Sequence, residues 1–126
     1  MPQMSRPLTL IIAVILFSLG AAHAQRQVNK EAHFKRVYPV ANEQLEQGKA
    51  NRAIANFLDL VDLDPKNSHI NYKIGRCFLL LNGKRNESVP YFEKALANVS
   101  AKTKDNWNET NAPLDAYYYM AWAYHL

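Results

Sequence analysis

The chain carries a near-repeat. Ala53, Phe57 and Leu60 stand 35 positions before Ser88, Phe92 and Ala95, and Val40 and Ala41 stand 34 positions before Ile74 and Gly75. Internal similarity at this period is the mark of stacked helical hairpins. Such a unit cannot bury its apolar face alone. It stacks on a neighbour and leaves one long face exposed. An extended binding groove, rather than a catalytic pocket, is therefore the expected working part of the molecule.

The N-terminus reads as a secretory leader over residues 1–24. Arg6 and the free amine make a positive start, residues 8–19 form an apolar run too short to span a membrane comfortably, and Ala22-His23-Ala24 supplies a small-x-small cleavage pattern before Gln25. An uncleaved N-terminal anchor is the alternative. No Cys follows the apolar run, so a lipid-anchored start is not expected at this site. The mature segment, 25–126, is one domain's worth of chain. At the other end, residues 113–126 are rich in Tyr, Ala and Trp and stop without Gly, Asn or Pro. That ending reads as a helix that continues, and a natural array closes with a polar cap, so a truncated third repeat is expected.

Charge excludes little but is informative. Without the leader, fourteen basic side chains face eleven acidic ones, with no block of five or six like charges. A nucleic-acid footprint needs a basic stripe, and none is present. Cys77 is the single cysteine, so no intrachain disulfide forms. Its apolar helical setting predicts a small buried thiol; a reactive one needs a cationic, half-exposed site.

Apolar spacing predicts five helices. Residues 25–33 form a polar N-terminal segment, of which 25–31 is expected to fray. Phe34, Val37, Tyr38, Ala41 and Leu45 recur at helical spacing. Pro39 lies inside that window, and a proline in a helix interior costs about 3 kcal/mol, which predicts a kink or a late start near Tyr38. Gly48 breaks the pattern, and Asn51 is a candidate cap. Ala53, Ile54, Phe57, Leu58, Leu60 and Val61 form the second apolar face, ended by Asp64-Pro65. Asn67 or Ser68 caps the third helix, whose face is Ile70, Ile74, Cys77, Phe78 and Leu81, and Asn82-Gly83 stops it. Asn86 is expected to cap the fourth, with Pro90 in its first turn and Val89, Phe92, Ala95, Leu96 and Val99 on its face. A polar connector over 101–112 follows, longer than is usual between packed helices. Trp107 either pins it to the body or stacks on a ligand. Asn111 and Pro113 open the fifth helix.

These residues resemble tetratricopeptide repeats. That family pairs two antiparallel helices in a unit of about 34 residues. In the first, Leu-Gly is followed by an aromatic; in the second, a small residue, an aromatic and a small residue recur before a closing Pro. Repeat 1 spans 34–67, with Val37, Val40, Ala41, Ala53, Phe57 and Pro65 at pattern positions; Gln44 and Leu60 depart from it. Repeat 2 spans 68–102, with Ile74-Gly75, Phe78, Ser88, Phe92 and Ala95 in register after a one-residue insertion near 82–86, and Ser100 in place of the closing Pro. In residues 113–126, Met120-Ala121 and Tyr124 match Ile74-Gly75 and Phe78. The resemblance implies an all-α, right-handed stack of antiparallel hairpins, about two and a half repeats long. The 112–126 run also resembles exported Gram-negative bacterial proteins. In those, such repeats precede a β-propeller and a peptidoglycan-binding domain like that of outer membrane protein A.

Chemistry is sparse. His33, His69 and His125 are scattered, no Cys-x-x-Cys or His-x-x-x-His offers metal-ligand spacing, and four glycines build no phosphate loop. Glu43 with Glu46 and Asp59 with Asp62 read as solvated helix surface. Three Asn-x-Ser/Thr triplets, at Asn86, Asn98 and Asn108, are read as coincidence in an Asn-rich chain. No catalytic residue, cofactor or metal is expected. In the resembled family the first helix of each repeat lines the concave face. By register the candidates are Lys35, Tyr38, Asn42, His69, Tyr72, Arg76, Leu79, Tyr118 and Trp122, with a core role for Tyr72, Tyr118 and Trp122 as the alternative. Aromatics with a few polar groups suit a peptide or partner helix. The charged clamp that some relatives use for chaperone-tail carboxylates is not reproduced: Asn42 fits it, but Tyr38 stands where its first Lys belongs.

The expected function is a non-catalytic protein–protein scaffold of the cell envelope, periplasmic or associated with the outer membrane, or secreted. The partner is a protein or peptide, with no nucleic acid and no membrane span after leader cleavage. Two alternatives stand beside it: a peptidoglycan-associated binding module, and the accessory domain of an enzyme whose catalytic part lies beyond Leu126.

Overall fold

A computed structural model describes residues 5–125, with side chains from residue 15 onward. Among them the protein is predominantly helical: α1 (Ser5–Glu46), α2 (Ala50–Leu63), α3 (Ser68–Leu80), α4 (Arg85–Ala95) and α5 (Asp115–Tyr124), with two-residue strands β1 (Val99–Ser100) and β2 (Ala112–Pro113) between α4 and α5. The all-α expectation holds. No helix of the described residues is long and apolar enough to cross a membrane.

The chain divides into two units, Met1–Ala32 and His33–Leu126. In the first, Ile15, Leu16, Phe17 and Leu19 are exposed, and the Gln25 amide donates to Asn29 Oδ1 at 3.2 Å. Residues 25–31, expected to fray, are helical instead.

In the second unit, α2 packs on α3, α3 on α4, and α4 on α5. One buried cluster joins Phe34, Tyr38, Ala41 and Leu45 of α1 to Ala53, Phe57 and Leu60 of α2 and Ile70, Ile74 and Cys77 of α3. A second joins Tyr72 of α3 to Phe92 and Ala95 of α4 and to Ala112, Ala116 and Ala123. Phe57 and Phe92, 35 positions apart, are both fully buried. Each contributes about 1.5–3 kcal/mol of transfer free energy.

The repeat register recurs as contacts. Gln44 accepts a hydrogen bond from the Asn56 amide at 2.9 Å. At the corresponding positions one period later, Phe78 packs on Tyr91 with ring centroids 5.5 Å apart. A polar pair between α1 and α2 thus occupies the place of an aromatic pair between α3 and α4. This explains why Gln44 departs from the aromatic preference: its partner departs with it. Elsewhere the register weakens, since Val40 is exposed where Ile74 is buried.

Four local expectations are corrected. The late start near Tyr38 is not found: α1 runs through Pro39 to Glu46, and Pro39 is exposed, so its missing donor falls on a solvent-facing side. Lys49, not Asn51, precedes α2, and no side chain caps that end. Helix α4 begins at Arg85, so Asn86 lies within it and Pro90 stands beyond its first turn. Pro113 pairs in β2, and α5 opens two residues later at Asp115. The cap expected at Asn67 is present, its side chain accepting from the Ile70 amide at 3.1 Å.

Candidate functional site

The connector is the feature that organises the face of α1 and α3. It is closed at its base, where β1 and β2 pair in parallel, Val99 opposite Ala112 and Ser100 opposite Pro113. The Ala112 amide also donates to the Asn98 carbonyl at 2.9 Å. Inside the loop, the Glu109 carboxylate accepts from the backbone amides of Lys104 (2.6 Å), Thr110 (3.0 Å) and Asn111 (3.1 Å). Burial works against this charge, but the three donors outweigh it and hold the Glu109 pKa below its usual value. The loop therefore keeps a defined shape from its own interactions.

That loop lies on α1 and α3 through Asp105. The Tyr38 hydroxyl donates to Asp105 Oδ1, the Lys73 ammonium stands 2.9 Å from the same oxygen, and the Asn42 amide donates to Oδ2 at 3.2 Å. Lys73 also donates to Asn42 Oδ1 at 2.7 Å, and His69 Nε2 lies 2.7 Å from the Tyr38 hydroxyl. Tyr38 has one proton, given to Asp105. His69 must therefore carry its own proton on Nε2 and donate it to Tyr38. The other ring nitrogen, Nδ1, is buried without a hydrogen-bond partner.

The electrostatics follow from this geometry. His69, Tyr38 and Lys73 hold the Asp105 carboxyl well below the usual carboxylate range, against the opposing pull of partial burial. Burial, together with the Asp105 charge, drives the Tyr38 hydroxyl far above its ordinary value. Burial also lowers Lys73, whose side chain is 3% exposed, despite the carboxylate beside it. Asp105 itself is 51% exposed. A nearly dry ammonium thus sits beneath a carboxylate that reaches solvent.

Of the residues expected on the concave face, Tyr38, Asn42 and His69 come together here. Lys35 stands over the Trp107 ring, 4.8 Å from its centroid, and Trp107 packs against the α1–α3 core cluster, which is the pinning role. Farther along, the Arg76 guanidinium lies 5.7 Å from the Tyr72 ring and 5.2 Å from the Tyr119 ring, with Glu46 3.6 Å away. Tyr119 also contacts Trp122 at 6.3 Å and Tyr118 at 5.3 Å between centroids. Tyr72 is buried, the core alternative, and its hydroxyl is pushed up to about 12 by that burial. Leu79 packs on the second cluster. Tyr118 (68%) and Trp122 (41%) are exposed.

Three members were missed in sequence. Lys73 looks like a surface lysine between Tyr72 and Ile74, Asp105 like a loop polar residue, and Tyr119 like one of three successive tyrosines. None carried a sequence signal: at the repeat period of 34, Asn42 corresponds to Arg76 and not to Lys73. Among the described residues, no group of three His, Cys, Asp or Glu side chains is placed to hold a metal.

No family model, no curated protein and no solved structure matches the chain.

Proposed function

We propose that the protein is a non-catalytic protein-interaction scaffold of the cell envelope, built as a tetratricopeptide-like array of hairpins. One observation carries the reading: the face formed by α1 and α3 already holds a non-helical, turn-rich segment, gripping it with Tyr38, Asn42, His69 and Lys73. A face that holds a non-helical segment by side-chain donors and an aromatic contact has the chemistry for a peptide. The exposed aromatics Tyr118 and Trp122 gather on Tyr119, whose ring lies against Arg76 of α3. Export is proposed from the leader pattern at 1–24. The separate first unit, with its exposed apolar side chains, is consistent with a segment that serves targeting rather than the core. The cell-wall alternative asks for Trp107 and Trp122 as a joint stacking platform. With Trp107 packed onto the core, these two residues do not offer one.

The test is recovery of a partner from envelope extract by the full chain. Tyr118→Ala with Trp122→Ala, both at exposed positions, is expected to lose the partner with helicity and melting unchanged. Undiminished recovery by that double variant removes the α5 end of the surface from the binding role. N-terminal sequencing of the exported protein should begin at Gln25; a chain that retains residue 1 in the envelope argues for the anchor.

A further inference from the structure

We infer that the 101–112 connector, above its base at Ala112, is a displaceable self-ligand of the α1–α3 face, and that the external ligand it excludes is a short acidic peptide. In that peptide a carboxylate stands two residues before an aromatic, as Asp105 stands before Trp107. The inference rests on reading this face as a binding surface and goes on to name the chemistry of its ligand.

The arrangement is that of a docked unit rather than a buried core segment. The base of the loop is fixed, with Ala112 of β2 fully buried in one cluster with Tyr72 of α3, while above it the Glu109 carboxylate shapes residues 104–111 from within the loop. Its side-chain attachments to the face are concentrated at two places. Asp105 meets Tyr38, Asn42 and Lys73, and Trp107 lies against the α1–α3 core and Lys35. One backbone bond, from the His69 amide to the Thr110 carbonyl at 3.3 Å, adds to them. The face side is specific for a carboxylate. It presents a nearly dry ammonium, a hydroxyl donor and an amide donor on one anion, and a buried ammonium left without an anion is costly.

The fit is imperfect on both sides. His69 Nδ1 on the face and Asn106 Oδ1 on the loop are both buried without hydrogen-bond partners, and each carries the cost of an unsatisfied buried polar atom. A peptide that keeps the carboxylate and the aromatic and also gives His69 Nδ1 a donor would bind more tightly than Asp105-Asn106-Trp107 does. The loop competes through its tether, which keeps its local concentration near the millimolar range.

The probe is a fluorescent peptide with the sequence of residues 101–112, read by anisotropy against the full chain. Against the wild type, the tethered loop is expected to suppress uptake. Asp105→Ala with Trp107→Ala, which releases the loop, should bind the peptide at least about tenfold more tightly. The peptide carrying Asn in place of its Asp should lose that gain, as should Lys73→Met added to the released variant. A folded, released variant that takes up no more peptide than the wild type overturns the inference. Equal binding of the Asp and Asn peptides does so as well. Should the released variant fail to fold, hydrogen exchange on the wild type decides. The His69 amide, held by the Thr110 carbonyl of the loop, exchanging through an opening that leaves the interior of α3 protected supports the inference; exchange together with the rest of α3, only on global unfolding, overturns it. Peptide uptake without partner recovery from extract would sink the scaffold reading alone. Partner recovery without peptide uptake would sink the self-ligand alone.

Discussion

Gly75 lies against the ring of Phe92: a Cβ built on Gly75 would stand 2.7 Å from both Cε1 and Cζ of that ring. The near-repeat places small residues, Ala41 and Gly75, at one position, and large rings, Phe57 and Phe92, at another. In the second pair the contact shows why. The backbone of α3 must approach the α4 aromatic more closely than any side chain permits. Gly75→Ala removes a helix-interior glycine, a gain of about 1 kcal/mol. It also drives a methyl into a fully buried ring, an overpacking cost of about 1–3 kcal/mol or more. At 2.7 Å the clash is expected to win, with a net loss of about 1–2 kcal/mol seen as a lower urea midpoint. A more stable variant would show that α3 and α4 separate freely.

Phe57 and Phe92 sit in different clusters. Truncating either to Ala should cost about 3–5 kcal/mol, a large share of the stability of a domain this size. Urea melts within about 1 kcal/mol of wild type would mean that these rings are not what the helices pack around.

Asp105 makes stability depend on acid. Its folded pKa is depressed by His69, Tyr38 and Lys73, so the carboxylate stabilises the fold above the unfolded value of about 3.9. That contribution fades as pH falls below about 4 toward the folded value. Because Asp105 is half-exposed, screening by solvent reduces the effect. Wild type should exceed Asp105→Asn in stability at pH 6, and the difference should shrink at pH 3. A difference that does not change with pH would show that the charge on Asp105 contributes nothing.

Cys77 is fully buried, and burial pushes its thiol up to about 12. It should resist a thiol reagent at pH 8 in the folded protein and react promptly in denaturant. Rapid labelling of the native chain would place the α3 core in exchange with solvent.

The two tryptophans should separate cleanly. Trp122→Ala, at an exposed position, is expected to change stability by no more than about 0.5 kcal/mol. Trp107→Ala, which uncovers part of the α1–α3 cluster, should cost more. The reverse order of effects would exchange the two assignments.

Helix positions were legible because they are local. The spacing of Phe57, Leu60, Ile74 and Cys77 encodes which side of each helix is apolar, and all four are buried. Asn67 caps α3 because its side chain reaches an amide three residues on. The period near 34 marked positions whose contacts recur, as Gln44–Asn56 and Phe78–Tyr91 do. What periodicity could not reveal is pairing across distance. Tyr38 and Asp105 are separated by 67 positions, and nothing near either residue names the other. Lys73 carries the helix pattern of a surface residue, yet it is buried because a loop from beyond α4 brings a carboxylate to it. Pro39 lies in the interior of α1, on its exposed side, and the helix is carried through it by the burial of Phe34, Tyr38, Ala41 and Leu45 on the opposite side. The chain's local pattern thus set where the helices and their apolar faces lie. The Asp105 cluster came from the folded arrangement alone, since a buried ammonium is tolerable only where folding brings an anion to it.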